Sequence, residues 1–390
     1  MFHSELIFPL NGWHNHASSI VECPNGDLLV CWFSGSGERT ADDAQILGAR
    51  RRSRSTRWSQ PFLMADTPNY PDCNPCLFID PAQRLWLVWI TILNHRWEGS
   101  LLKYRCTRDY QRALAPRWQW SEVLHISPDE QFVQKVDAYA QRMLAQAGTY
   151  PPDLRPYLEQ YCHTIRQYAQ DDLSRRLGWM TRLPPLIIGK HIWLPLYSDG
   201  FSCSLIAISE NNGDSWQLSE PILAPGAIQP ALAVRRDGTL VAYMRDNGPP
   251  PKRVWMATSN DGGFTWSEPT KTEIPNPGSS VAVLALRTGE WIMVCNDTEQ
   301  GRHRLTVLLS DDEGRTWRTA RYLEKDAPGT GSYSYPALIQ AHNGIIHATY
   351  SYALEREGLP VDERGRPKRS AIKWAQFTRD WLLSSETNRQ

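Results

Sequence analysis

The side chains best suited to chemistry on a polar ligand are scattered along this chain, yet they recur in one setting: the ends of short, apolar, strand-like runs. His14 and His16 lead into ASSIVE, and Asp72 and Asn74 precede PCLFI. Arg182 opens RLPPLIIG, Gln229 opens QPALAV, and Tyr333 and Tyr335 stand in GSYSYPALI. The far ends of the following runs and their loops add Glu38, Asp42, Asp43, Asp199, Arg245, Arg302 and Arg304. Guanidinium forks pair bidentately with carboxylate. Histidine and carboxylates can carry protons, and a tyrosine becomes a nucleophile when a neighbouring base activates it. Such a set suits a ligand that bears a carboxylate, provided the run ends meet in space.

What would bring them together is a repeat. Residues 259–266 read SNDGGFTW and residues 310–317 read SDDEGRTW, so Trp266 and Trp317 lie fifty-one residues apart, and a worn copy, SENNGDSW, ends at Trp216. Two strand-like runs joined by a turn precede each box. IQPALAVRRDGTLVAYMRD shows this best, with Asp237-Gly238 as the turn dipeptide, and five further hairpins of this kind can be traced. Units of about fifty residues that cannot bury both faces alone call for radial closure, which predicts an all-β, six-bladed β-propeller spanning residues 1–390 as a single domain. In each box, Asp and Ser suit hydrogen bonds to turn backbone and Gly suits a positive φ. The Trp suits an apolar plug between sheets. The boxes are therefore expected to carry stability rather than chemistry.

One spacing is nearly double. Between Trp120 and Trp216 the strand alternation gives way, over 127–178, to helical periodicity. Ser127-Pro128-Asp129-Glu130 supplies start signals, and Val133, Val136, Ala140 and Leu144 share a face. This reads as a helical insertion in blade 3, a candidate lid or contact between copies, without which the blades are expected to close. Cys73 and Cys76 form one CxxC with no partner pair, and the eight cysteines are expected to be core thiols rather than metal ligands. No metal and no cofactor is expected.

Lys+Arg 42 balances Asp+Glu 42, which gives no general attraction to nucleic acid or an anionic membrane. No apolar run reaches the roughly 18 residues of a membrane span. The start, MFHSELIFPLNGW, lacks a basic region followed by an apolar one, and cytoplasmic residence is the expectation.

On these boxes and on HASSIVECPNGDLLVCWFSGSGE, IQPALAVRRDGTLVAYMRDN and SYSYPALIQAHNGIIHATYS, the chain resembles the sialidase (neuraminidase) superfamily, and most of all its BNR-repeat branch. The resemblance implies a six-bladed propeller that releases an acidic sugar with three arginines on its carboxylate, a Tyr nucleophile helped by a Glu, and an Asp acid/base. Carried over, it places the second and third arginines at Arg245 and Arg304, the nucleophile at Tyr333, and the acid/base at Asp42 or Asp43. Two positions depart from the pattern. His16 stands where the first arginine belongs, and Gln229 where the activating Glu belongs. An amide cannot take a proton, and a phenol with an ordinary pKa of about 10 needs a base to attack. The expected activity is thus an exo-glycosidase acting on an acidic sugar, with His16, Tyr333, Asp42 and Asp43 as catalytic candidates. Arg245, Arg304, Gln229, Arg182, Asn74 and Tyr335 are the substrate-binding candidates. A lyase that β-eliminates at a uronic acid, using His16 and Tyr333, is the alternative, and a non-catalytic glycan-binding propeller a third.

Overall fold

The computed structural model describes residues 1–354 and 369–384. Six antiparallel sheets stand in a ring, a six-bladed β-propeller, with the strands of most blades running in chain order from the channel outwards. Blade 4 shows the plan: Ala227–Val234, Leu240–Asp246, Arg253–Ser259 and Thr270–Pro275 pair in sequence. Ring closure comes from the start of the chain, because Phe2–Leu6 adds to Arg369–Phe377 as the outer strand of blade 6. Inner strands are buried nearly throughout, as in His14–Glu22 and Asp72–Ile79, so apolar runs rather than strict alternation mark them.

Strand direction divides the ring into two faces. First strands begin, second strands end and third strands begin on one face; the hairpin turns and the boxes lie on the other. The boxes are closed hydrogen-bond systems. In SNDGGFTW the Ser259 hydroxyl bonds Asp261 (2.8 Å) and accepts from the Gly263 amide (2.9 Å), while Asp261 accepts from the Thr265 amide (3.0 Å) and hydroxyl (2.6 Å). SDDEGRTW repeats this around Asp312, and Asn211 performs it in the worn copy. Each box also rests on an aromatic from the preceding blade. The Trp193 indole donates to the Gly262 carbonyl (2.6 Å) and the Tyr243 hydroxyl to that of Gly314 (2.7 Å). Trp86 meets Trp216 edge-on at 6.5 Å. Glycine is required at 314: φ is +79°, and a Cβ would collide with the Tyr243 hydroxyl. The box tryptophans 216, 266 and 317 are only partly buried, so they are clips on the rim rather than the expected plugs.

Residues 127–178 hold helices Glu130–Ala145, Arg155–Gln170 and Asp172–Arg176. Asp129 caps the first through the Gln131 and Phe132 amides. Met143, not Leu144, completes its buried face. The segment is not a detached appendage: Phe132 packs edge-on against Trp179 and Phe201 (5.9 and 5.1 Å) and joins the same apolar cluster as blades 2 and 3. All eight cysteines are buried thiols. Among the described residues no helix is long and apolar enough to cross a membrane.

Candidate active site

Four inner strands share one irregularity. Ala17-Ser18, Asn74-Pro75, Gln229-Pro230 and Tyr335-Pro336 each set two residues against one on the neighbouring strand, a β-bulge. The first residue of each bulge has positive φ: +56° at Ala17, +49° at Asn74, +58° at Gln229 and +56° at Tyr335. A non-glycine residue held there costs roughly 1–2 kcal/mol, and such strain is tolerated where the surroundings over-determine it. Proline suits the second position because a bulge leaves that amide without a ladder partner.

The bulge decides which tyrosine meets a ligand. Ser332 and Ser334 line the cavity, and in a regular strand Tyr333 and Tyr335 would both turn from it. The extra residue carries Tyr335 round to the cavity. Tyr333 stays behind, 1% exposed, against Tyr352, with its hydroxyl on Asp326. Burial, and then that bond, push the Tyr333 phenol far above its ordinary range. Tyr333, the expected nucleophile, therefore does not line the cavity, and Tyr335 does.

The cavity opens at the channel end, has a volume of about 970 Å³ and takes lining residues from every blade. At its centre the Tyr335 oxygen accepts from Arg245 (2.8 Å) and from the Gln229 amide nitrogen (3.3 Å). Gln229 also donates to Tyr197 (3.1 Å), as does Asn74 (3.1 Å), and its carbonyl accepts from Arg245 (3.4 Å). Arg245 otherwise donates to Asn247, so the oxygens it bonds are all neutral. The guanidinium carbons of Arg182, Arg302 and Arg245 lie 4.9, 5.5 and 6.0 Å from the Tyr335 ring centre. The His16 ring is 4.1 Å from it.

Arg182 does not face the ligand space as expected. It is 1% exposed and donates to the carbonyls of Ser18, Tyr335 and Pro336, and so ties the bulges of blades 1 and 6 together. Burial pulls it down to about 10, which leaves it cationic at neutral pH. Arg304 is likewise replaced. It pairs with Asp297 (3.0 Å) at the head of its strand, whereas Arg302, two residues earlier in the loop, lines the cavity and donates to Gly278 (3.0 Å). Asp42 and Asp43 lie outside the cavity. Asp42 bonds the exposed His95 (2.6 Å), and Asp43 caps the Ser36 amide (2.9 Å).

Two other carboxyls do line the cavity. Glu38 bonds His14 (3.1 Å), and Asp199 follows the second strand of blade 3. Burial pushes Asp199 up to about 6 against the pull of Arg245, with Glu98 and Glu38 pushing the same way and Arg39 opposing. Among the described residues no cluster of His, Cys, Asp and Glu is placed to hold a metal.

The site as built holds five of the ten expected residues: His16, Asn74, Gln229, Arg245 and Tyr335. It adds Arg302, Asp199 and Glu38. One sequence signal would have separated Tyr335 from Tyr333: the shared x-Pro-small-Leu pattern of NPCL, QPAL and YPAL aligns Tyr335 with Asn74 and Gln229.

Known structures of the same shape include the NanB sialidase of Streptococcus pneumoniae, with a TM-score of 0.69 at 11% identity, covering 97% of this chain and 71% of that one. The intramolecular trans-sialidase of Ruminococcus gnavus gives 0.66 at 13%, covering 95% and 96%. A Dyadobacter fermentans protein of unknown function gives 0.63 at 14%, covering 95% and 97%. No curated protein matches the sequence. The profile of the BNR repeat-like domain matches residues 26–141 and 180–348, well over half of the chain, and the protein belongs to that family.

Proposed function

We propose that this protein is an exo-acting glycoside hydrolase that releases an acidic sugar, of sialic or uronic acid type, from the end of a glycan. The observation that carries this reading is the pair Arg245 and Arg302, both within about 6 Å of the Tyr335 ring centre in one cavity of sugar-binding size. Arg245 donates only to neutral oxygens, with the Asp199 carboxyl near enough to act on its charge but not bonded to it, and a substrate carboxylate would give it a directly bonded partner. Tyr335 and His16 form the wall against which the ring would lie. The group beside the phenol oxygen is the Gln229 amide, which cannot take its proton, and this argues against Tyr335 as an activated nucleophile.

The experiment is an assay against 4-methylumbelliferyl glycosides of sialic acid, glucuronic acid and glucose. Release from an acidic glycoside and none from the neutral one is expected. Equal release from glucose would remove the reading.

Elimination has an observation of its own: the His16 ring 4.1 Å from Tyr335, whose oxygen lies 2.8 Å from Arg245. In that reaction a base takes the proton α to the uronate carboxylate and the C4–O bond breaks. The leaving oxygen takes its electron pair and a proton, and Arg245 stabilises the charge on the carboxylate. A conjugated alkene results, so ultraviolet absorbance during digestion of uronate-containing oligosaccharides separates the two readings.

A further inference from the structure

We infer that Asp199 and Glu38 are an acid–base pair that cleaves the glycosidic bond by direct attack of water, so that the sugar leaves with inverted anomeric configuration. This rests on the hydrolase reading above and names the groups that would perform it.

Both carboxyls line the cavity that holds Tyr335, and they come from different blades. The charge of Glu38 reaches Asp199 and pushes its carboxyl upward. Their surroundings differ, and that difference assigns the roles. Asp199 has no hydrogen-bond or ion-pair partner among the described side chains. It faces Arg245 and Arg39 on the cationic side, and Glu98, Glu38 and the Tyr197 phenol on the other. Burial and these carboxylates keep its proton to about pH 6, which suits a donor near neutral pH. Glu38 bonds His14 (3.1 Å) and keeps 26% of its side chain exposed, which suits a base that must meet water. Two carboxyls in unlike environments with a water between them are what single displacement requires. Double displacement would need the activated tyrosine that Gln229 denies.

The step balances as follows. Glu38 takes a proton from water, and the water oxygen forms a bond to the anomeric carbon. The bond from that carbon to the leaving oxygen breaks; its electron pair stays on that oxygen, which takes the Asp199 proton. Asp199 ends ionised and Glu38 protonated, and solvent restores both.

The test follows the first-formed anomer by proton NMR during cleavage of the 4-methylumbelliferyl glycosides of sialic acid and glucuronic acid by the whole wild-type protein. Inversion is expected. Asp199→Asn should lose on the order of 10²–10⁴-fold in kcat on a natural-type disaccharide, and much less on the aryl glycoside, whose leaving group needs little proton help. Glu38→Gln should lose activity on both alike. Retention of configuration would overturn the pair while leaving the hydrolase reading intact, as would inversion with an unimpaired Asp199→Asn variant. Cleavage of neither glycoside would overturn the hydrolase reading and the pair with it. The anomer measurement needs no variant, so a misfolded substitution does not blunt the test.

Discussion

The two faces of the propeller carry similar residues in opposite states. On the box face, Asp261 and Asp312 each accept from a hydroxyl and a backbone amide of the same turn. Burial raises Asp312, but the bonds from Thr316 and Ser310 outweigh it and bring it down to about 2. On the cavity face Asp199 has no such donors and is pushed the other way, to about 6. The arginines divide likewise: Arg304 sits on Asp297, while Arg245 donates to neutral oxygens. Saturated polar groups hold a fold together, and groups left short of partners around a cavity are where a ligand completes the set.

Arg245→Ala should break the contrast most sharply, at about 2–5 kcal/mol in binding of an acidic sugar by calorimetry, the range for truncating one partner of a buried charge pair. Arg304→Ala should leave that affinity nearly unchanged. On the box face, Trp266→Ala should cost about 1–3 kcal/mol in denaturant unfolding, below the 3–5 kcal/mol of a fully buried aromatic because this indole is partly exposed. Turnover per folded molecule should stay intact. Loss of turnover at wild-type stability would erase the distinction between the faces.

How much of this was legible in the sequence follows from the same distinction. The boxes and hairpins are local and repeated, so their period exposed the ring and the family. The site is non-local, and its residues are aimed by a bulge that breaks strand alternation. Reading GSYSYP as a regular strand gives Tyr333 and Tyr335 one face, and only the positive φ at Tyr335 separates them. Arg302 and Arg304 straddle the boundary between loop and strand, where a two-residue shift exchanges a cavity wall for an ion pair. Asp42 and Asp43 sit in a loop that no repeat aligns. Gln229 lines the cavity, and its x-Pro signature lies inside the repeat itself.

Tyr333→Phe sharpens this point. It removes the bond to Asp326 and should cost about 1–2 kcal/mol of stability with turnover unchanged, whereas Tyr335→Phe should impair turnover at little cost in stability. The smallest effects are in pH. With its folded pKa below its unfolded one, Asp312 contributes stability that is present above about pH 4 and is lost as pH falls towards 2. Screening at this partly exposed site holds the contribution to under about 1 kcal/mol. Asp312→Asn should flatten the acid limb of the stability curve. Asp199 works in the opposite sense: activity should decline as pH rises through about 6 and the acid loses its proton.

The most direct measurement is a crystal structure of the protein soaked separately with glucuronic acid and with sialic acid. The expected result is a sugar in the channel-end cavity, with its carboxylate on Arg245 and Arg302, its ring against Tyr335 and His16, and Asp199 and Glu38 on either side of the anomeric centre. A carboxylate bound instead at Arg304 or at the box face, or a cavity that takes neither acid, would contradict it.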